Sequence, residues 1–296
     1  MIRLLSLVMA GCGVAGGVLG QIKKQFTVAT QEQCDRVELC LKAKTGNCFI
    51  RPSQNSELLD IYSNQDLEAY NNSFSNEIKG KTCMVKLELD QESQRGVGQQ
   101  ISYRVFGSEE KISDKFWKVY LTNEKPYSLD LTYGLGNANI DLSGLGIEKL
   151  KINTSSSDVF VFYSAGIENK VEMDTFFVRV DMGTLNVKQL NLSRARVVMA
   201  EVGFGNILLD FSDRPMVSNQ IKGSVGAGNL VITLPDDEVP VLVKINDSWL
   251  CSVNLSRSLK KIGENTFANA AYTANSKNGL SFDLEVAMGK IIFKEK

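Results

Sequence analysis

A short unit containing two glycines, an asparagine and an alternating apolar strand recurs along the chain. Its clearest copies are YGLGNANIDL at residues 133–142, VGFGNILLDF at 202–211 and VGAGNLVITL at 225–234. Glycine turns sharply, often through positive φ, at no steric cost, and asparagine tolerates the left-handed region better than most residues. Each unit therefore predicts a tight corner followed by a strand with one buried face.

The interval between these corners predicts how the units assemble. The corner positions Gly136, Ser157, Gly183, Gly205 and Gly228 follow one another at intervals of 21 to 26 residues. A β-rich unit that recurs at such a period is typical of a solenoid, in which each repeat buries its face against its neighbours. We therefore expect an all-β fold with a single-stranded β-solenoid over residues 124–296. The glycines assigned to structural turns are Gly134, Gly136, Gly183, Gly203, Gly205, Gly226, Gly228 and Gly289.

Two segments do not follow the repeat. Residues 21–123 alternate in short apolar strands, including one at 100–106, and predict an N-terminal antiparallel β cap with a hairpin turn at Thr45-Gly46-Asn47. Residues 239–272 interrupt the period. We interpret this second segment as an insertion packed over the end of the solenoid, anchored by Trp249 and containing a helix-like run at 255–262.

The N-terminus has the features of an export signal. Arg3 precedes an apolar run from Leu4 to Leu19, and the small residues at Val18 and Gly20 fit cleavage after Gly20, so residues 1–20 are interpreted as a signal peptide. A second interpretation takes Met9-Ala-Gly-Cys12 as a lipoprotein box with Cys12 lipidated. No later run reaches the roughly 18 apolar residues of a membrane-spanning helix. We expect an exported protein that is periplasmic, at the cell surface or secreted, without a transmembrane segment.

The remaining cysteines also fit an oxidising compartment, because most of them cluster in the first third of the chain. An odd number leaves at least one thiol unpaired or paired between chains, and the spacing does not fix the connectivity. The chain has no histidine and no Cys-x-x-Cys pair, so no metal site is expected. The candidates for disulfides are Cys34, Cys40, Cys48, Cys83 and Cys251.

Charge and glycine patterns argue against nucleic-acid and nucleotide binding. The 33 basic and 34 acidic residues form no basic stripe that could neutralise phosphates. The glycines at 223, 226 and 228 superficially suggest a phosphate loop, but such a loop opens a helix, whereas an alternating strand follows here. We expect no cofactor and no nucleic-acid partner.

Aspartates are the best enzymatic candidates. Stacked repeats could bring two carboxylates to the roughly 5–10 Å separation used in glycoside hydrolysis, or align them to hold calcium. The simpler interpretation is that they are the outward-facing partners of buried residues. Without histidine, Ser-His and Cys-His nucleophiles are excluded. The six aspartates are Asp130, Asp141, Asp158, Asp174, Asp181 and Asp210, of which Asp130, Asp141 and Asp210 are the catalytic candidates.

Aromatic residues near the repeat have two interpretations. Phe176, Phe177 and Phe204 could form a platform that stacks on a sugar, or they could pack in the core and turns. We expect the packing role.

The sequence LDLTYGLGNANIDLSGL at 129–145, followed by LKINTSSSDV at 150–159, resembles the toast-rack β-solenoid proteins. These are bacterial exported or envelope proteins, often labelled adhesins, and the start at Gln21 is similar to exported proteins of Bacteroidetes-type bacteria. The resemblance covers about residues 126–293. It implies a single-stranded, right-handed β-helix-like fold and no established activity for most members, and it supplies no catalytic residues. The cysteine-bearing N-terminal segment departs from the common pattern.

Together these features favour an exported, non-catalytic scaffold or adhesion-like binding module of the envelope. Its expected partner is an envelope protein or a glycan. Two alternatives remain open. One is a polysaccharide-active enzyme that uses paired aspartates, and the other is a regulator of envelope stress that acts by protein contact.

Overall fold

The computed structural model describes residues 22–64, 72–89 and 115–296. The expected signal peptide, Cys12 and the predicted strand at 100–106 lie outside these ranges. Within them the chain is all-β, with two short 3-10 helices (Ser164–Gly166 and Leu190–Ser193). Pairing joins the strands into one large sheet that is not closed.

The first ten strands are β1 (Lys23–Val28), β2 (Arg36–Ser53), β3 (Leu59–Ser63), β4 (Asn72–Lys79), β5 (Thr82–Leu89), β6 (Phe116–Thr122), β7 (Pro126–Asp141), β8 (Gly146–Phe162), β9 (Met173–Val180) and β10 (Thr184–Val187). The second ten are β11 (Ala195–Val202), β12 (Asn206–Asp210), β13 (Asn219–Val225), β14 (Asn229–Thr233), β15 (Val241–Asp247), β16 (Ser252–Asn254), β17 (Lys260–Gly263), β18 (Thr266–Ala268), β19 (Leu280–Val286) and β20 (Lys290–Lys294).

Two parallel ladders run side by side. The first joins β9, β11, β13, β19 and β15, and the second joins β10, β12, β14, β20 and β16. The long strands β7 and β8 take part in both, because β8 pairs through its first half with β9 and through its second half with β10. Connections such as residues 188–194 and 211–218 return the chain from the second ladder to the first. We call one pass through both ladders a coil.

Alternation along each strand fills the space between the ladders. Tyr127, Leu129 and Leu131 of β7 are buried, whereas Ser128 and Asp130 are partly exposed, as the period of two predicts. The same alternation continues through β8, β11, β13 and β19. One hydrophobic core therefore extends from coil to coil.

Each coil changes ladder at a corner where successive backbones approach too closely for a side chain. A Cβ atom on Gly228 would lie 2.1 Å from the carbonyl oxygen of Gly205, and one on Gly205 would lie 2.4 Å from that of Gly183. Gly136 and Gly183 also have φ angles of +121° and +91°, which other L residues rarely adopt. Close approach and conformation both require glycine at 136 and 183, and close approach alone requires it at 205 and 228, whereas Ser157 takes the corner position of β8.

The N-terminal strand β2 is continuous through the position at which a hairpin was predicted. It pairs in parallel with β7 from Val37↔Tyr127 to Ile50↔Ile140. The hairpin prediction at 45–47 is wrong because Gly46, with φ +97°, makes another corner rather than a chain reversal. The expected antiparallel cap is likewise wrong for β2, whose pairings with β5, β6 and β7 are all parallel. The antiparallel pairs of this region are β1–β3, β3–β6 and β4–β5.

The C-terminal strands do not stack in chain order. Strands β19 and β20 lie between β13–β14 on one side and β15–β16 on the other. The segment expected to be an insertion thus supplies strands to both ladders, and the β17–β18 hairpin pairs along β15. The predicted helical run at 255–262 is wrong, because its last residues pair as β17. Trp249 is 90% exposed and is not the predicted anchor.

One disulfide links the start of β2 to β5. Cys34 and Cys83 are bonded, with a Cα–Cα distance of 5.6 Å, while Cys40, Cys48 and Cys251 are free thiols. Cys48 is buried, and burial raises the pKa of its thiol to about 12. Among the described residues, no helix has the length and apolar composition needed to cross a bilayer.

Candidate functional site

The aspartates proposed for catalysis each interact with residues of their own. Asp130 forms an ion pair with Lys151, its neighbour on the next coil, at 3.1 Å, and both side chains are about half exposed. Asp210 lies 3.9 Å from the Lys188 ammonium and accepts a hydrogen bond from the Ser212 amide. Both carboxylates therefore have a nearby cation on the outer surface, where ion pairs are common and contribute little.

The other outward aspartates also have hydrogen-bond or ion-pair partners of their own. Asp158 accepts a hydrogen bond from the amide of Thr184, Asp174 pairs with Arg196, and Asp181 pairs with Arg179. Within the described part of the chain, no group of three or more cysteine, aspartate or glutamate side chains could hold a metal ion. These contacts fasten one coil to the next or brace a corner.

Asp141 is buried, which corrects the expectation that it faces solvent. One carboxylate oxygen accepts hydrogen bonds from the amide and hydroxyl of Ser143, and Ser164 donates to the same carboxylate. Burial favours the neutral acid, but these donors outweigh it and hold the pKa of Asp141 below its ordinary value. Its side chain turns inward because β7 ends there, and it ties the following turn to the next coil.

A second buried carboxylate was not identified from the sequence. Asp60 in β3 is 2% exposed and lies 2.6 Å from the Lys24 ammonium. Thr27 and Asn55 donate to it at 2.9 and 3.3 Å. Burial again opposes ionisation, and these three donors together lower the pKa of Asp60. The cluster joins β1 to β3 and has the character of a structural tie.

A row of outward residues runs along the glycine corner. Parallel pairing aligns Thr45 with Leu135 and Leu135 with Ser156. Amide-to-carbonyl bonds from one coil to the next continue this row across the later coils. The corner row consists of Thr45, Leu135, Ser156, Met182, Phe204, Ala227 and Met288.

The C-terminal half of this row is apolar and exposed. Phe204 is 77% exposed, and Met182 and Met288 are 55% and 59% exposed. The turn between β15 and β16 adds two more such residues, Trp249 and Leu250. It lies beside Met288, because Ser248 and Ser252 donate to the carbonyls of Val286 and Gly289. We call Met182, Phe204, Ala227, Met288, Trp249 and Leu250 the apolar ridge.

The concentration of apolar side chains at this corner is high. The described residues include eleven large hydrophobic side chains that are exposed, and six of them belong to the corner row or the adjoining turn. Scattered exposed hydrophobics need no explanation, whereas contiguous ones mark interaction sites. With about 4.8 Å between parallel strands, the four steps from Met182 to the 248–251 turn span roughly 19 Å.

The amides of the four ridge residues that belong to the corner row donate to carbonyls of the adjacent coil. The amide of Met182 donates to Ser155 at 2.7 Å, and those of Phe204 and Met288 donate to Asp181 and Gly226 at 2.8 Å. Just past the glycines, side-chain amides pair between coils, Asn229 with Asn206 at 2.7 Å and Asn137 with Asn47 at 3.1 Å. The ridge is therefore an apolar edge on paired amides, bordered by the Asn206–Asn229 pair, with Lys290 aligned beside Asn229.

Sequence reasoning expected Phe204 to pack in a turn or in the core, and that expectation is wrong. Phe176 is fully buried, but Phe204 projects into solvent because a corner residue stands outside the strand alternation. The sequence feature that could have predicted this exposure is the middle position of each Gly-x-Gly corner, which is leucine at 135, phenylalanine at 204 and alanine at 227.

Comparison with known proteins identifies the family. A family model described as the N-terminal domain of toast_rack, DUF2154, matches residues 19–177, which is more than half of the chain. The chain belongs to the toast-rack family. The resemblance inferred from residues 129–159 is thereby confirmed. No curated protein matches the sequence.

Solved structures similar to this toast-rack chain include bacterial proteins named as candidates for adhesion. A candidate cell adhesion protein from Clostridium sporogenes ATCC 15579 is 17% identical, with coverage of 93% of this chain and 100% of the other, and a TM-score of 0.44. A candidate adhesin from Bacteroides fragilis NCTC 9343 is 14% identical, with coverage of 93% and 97% and a TM-score of 0.35. One from Parabacteroides merdae ATCC 43184 is 11% identical, with coverage of 94% and 97% and a TM-score of 0.31.

Proposed function

We propose that this toast-rack chain is an exported, non-catalytic binding or scaffold module of the bacterial envelope. In this proposal residues 1–20 are a signal peptide and residues 124–296 form a β-solenoid whose corner carries the binding surface. Strand β2 stacks on that solenoid as a further coil, and the rest of residues 21–123 caps this end. The two parallel ladders and the recurring glycine corners support the solenoid assignment.

The apolar ridge is the observation that carries the proposal. Its side chains are held on a backbone that is hydrogen-bonded from coil to coil, so they are presented in a fixed row at no further ordering cost to the main chain. Phe204 and Trp249 are the largest of them and the most exposed. Rigid aromatic side chains of this kind are the residues that dominate binding energy at interfaces.

The three aspartates predicted for catalysis do not form the site that a polysaccharide-active enzyme needs. That chemistry needs two carboxylates facing one another across a substrate, one of them with a raised pKa. Asp130 and Asp210 have cations beside them, and Asp141 has a lowered pKa and is occupied by serine donors. A regulator that acts by protein contact would use the same ridge, and it is distinguished by the identity of the partner.

A binding screen with a matched pair of variants tests the proposal. The mature protein, residues 21–296, is screened against glycans, cell-wall fragments and envelope proteins beside the variant Phe204→Ser/Trp249→Ser/Met288→Ser. The control is Ile262→Ser, which removes a side chain that is 58% exposed on β17, away from the corner.

We expect the triple variant to lose binding by at least about tenfold, because each exposed anchor contributes apolar area, while the control binds like the wild type. Equal binding by the triple variant contradicts the proposal. Turnover of a glycan at an enzyme-like rate contradicts it as well.

A further inference from the structure

We propose that the apolar ridge inserts into the interface of a lipid bilayer, so that the ligand of the binding module is a membrane surface. The inference rests on the proposed function and specifies the chemistry of the partner. It follows from the shape of the ridge, from its hydrogen bonding and from the charges around it.

The ridge is convex and one side chain wide. Phe204 and Trp249 are 77% and 90% exposed, so no described neighbour forms a wall beside either ring. A small molecule or a sugar needs a concave site that covers most of its surface and supplies convergent polar groups. A convex apolar edge instead matches a soft apolar phase into which its side chains can penetrate.

The amides beneath four of these side chains can enter such a phase already paired. An unpaired amide costs several kcal/mol in hydrocarbon, which excludes most loops from it. At the ridge, the amides of Met182, Phe204 and Met288 all donate to carbonyls of the preceding coil. The amide of Ala227 donates to the carbonyl of Gly203 in the same way. Phe204 and Ala227 each lie between two glycines, which add no polar side chain that would have to be dehydrated.

The area of the ridge is too small to favour a second copy of the chain as the partner. A stable protein interface buries about 800 Å² on each partner, with a core wider than one side chain. A fully buried aromatic side chain covers about 150–250 Å², and the ridge has only two. Insertion into an interface about 5–10 Å deep needs no such width.

The charges flanking the ridge indicate that anionic lipids are not required. On the side of the first ladder, Arg179 pairs with both Asp181 and Glu201. On the other side the amide pair of Asn206 and Asn229 is uncharged, and Lys290 aligns beside Asn229 as a single cation rather than a basic cluster. Recognition of anionic headgroups needs a cluster of basic side chains. Apolar insertion should therefore dominate, with tryptophan at the interfacial depth that it prefers.

The test uses Trp249 as a fluorescent reporter. Substituting the buried Trp117 by Phe leaves Trp249 as the only tryptophan of the chain. On adding vesicles of phosphatidylcholine, we expect its emission to shift to shorter wavelength and to be quenched by lipids brominated on the acyl chains. Flotation of the unaltered mature protein with the same vesicles provides an independent measurement that does not depend on the Trp117 substitution.

Two variants make the result specific. We expect Phe204→Ser/Met288→Ser to lower the vesicle partition coefficient at least about tenfold, because both side chains lose apolar burial, and Ile262→Ser to leave it unchanged. Replacing a third of the lipid by phosphatidylserine, or adding 0.5 M salt, should alter binding by less than about twofold.

Absence of flotation overturns the inference, as does equal flotation of the ridge variant or binding that requires phosphatidylserine. If the protein does not bind the vesicles but the ridge variant no longer binds a glycan or protein ligand found in the screen, the proposed function stands and the lipid inference is wrong. If the ridge substitutions affect neither vesicle binding nor any ligand of the screen, both fall.

Discussion

The two halves of the corner row share a close approach between successive backbones and differ in chemistry. In the N-terminal half, a Cβ on Gly136 would lie 2.2 Å from the carbonyl of Gly46, and in the C-terminal half one on Gly228 would lie 2.1 Å from that of Gly205. Yet Ser156 occupies the outward position in one half and Phe204 in the other. The corner can therefore be built with a polar outward residue, and the apolar ridge is not needed for the fold.

The largest expected effect would show that the close backbone approach is equally important in the two halves. We expect Gly136→Ala and Gly228→Ala each to lower the free energy of unfolding by about 3–5 kcal/mol, because the added Cβ meets backbone of the adjacent coil. Urea denaturation followed by circular dichroism measures this. Gly263→Ala is the control, since its nearest contact would be an ordinary 3.6 Å. A loss at only one of the two corners would break the equivalence.

A covalent difference between the halves is the next test. The Cys34–Cys83 disulfide closes a separation of 49 residues in the N-terminal half. Its loss in Cys34→Ala/Cys83→Ala should cost about 2–4 kcal/mol, mainly because the unfolded chain gains freedom. Hydrogen exchange should show the loss first in β2 and β5. Dithiothreitol should cause the same loss of unfolding free energy in the wild type and no further loss in the double variant. A further loss in the double variant would contradict the disulfide assignment.

Acid should also weaken the N-terminal half selectively. Asp60 and Asp141 have folded-state pKa values below their ordinary values, so the unfolded state binds protons first as pH falls. Their contribution is therefore present above the unfolded pKa, near 4, and is lost as pH drops through the folded values. Asp141→Asn should cost about 1–3 kcal/mol at pH 7 and flatten the dependence of unfolding free energy on pH below 4. If the dependence of the unfolding free energy on pH below 4 is unchanged in Asp141→Asn, Asp141 does not have this role.

The smallest expected effect on stability is at the ridge. Phe204→Ser should change the free energy of unfolding by less than about 0.5 kcal/mol, because the ring makes few contacts that folding creates. The reciprocal substitution Ser156→Phe should be equally silent. Thermal melting of both variants provides the measurement. A loss above 2 kcal/mol in Phe204→Ser would show that the ridge is part of the fold.

Local sequence predicted the parts of this fold that depend on local rules. The glycine corners and the inward positions of Tyr127, Leu129 and Leu131 follow from φ preferences and from the strand period of two. Thr45-Gly46-Asn47 has the same local signature as a hairpin. Whether the chain reverses there or turns a corner depends on pairing with β7, some ninety residues later.

Non-local pairing also explains the other failures. Nothing near residue 280 indicates that β19 lies between β13 and β15, because that order reflects contacts across the chain. The family was recognisable from residues 129–159, but the ridge was not. A corner residue leaves the alternation that predicts burial, so the middle position of each Gly-x-Gly unit was the available signal for Phe204, and its alignment with Met182 and Met288 depends on the stacking of the coils.

Hydroxyl-radical footprinting of the mature protein, with and without phosphatidylcholine vesicles or a ligand found in the screen, tests the central claim most directly. The account predicts strong labelling of Met182, Phe204, Trp249 and Met288 in the free protein and protection of all four in the bound state. Leu135, at the other end of the corner row, should be labelled equally in both. If other residues are protected in the bound state while these four ridge residues remain fully labelled, the binding surface lies elsewhere.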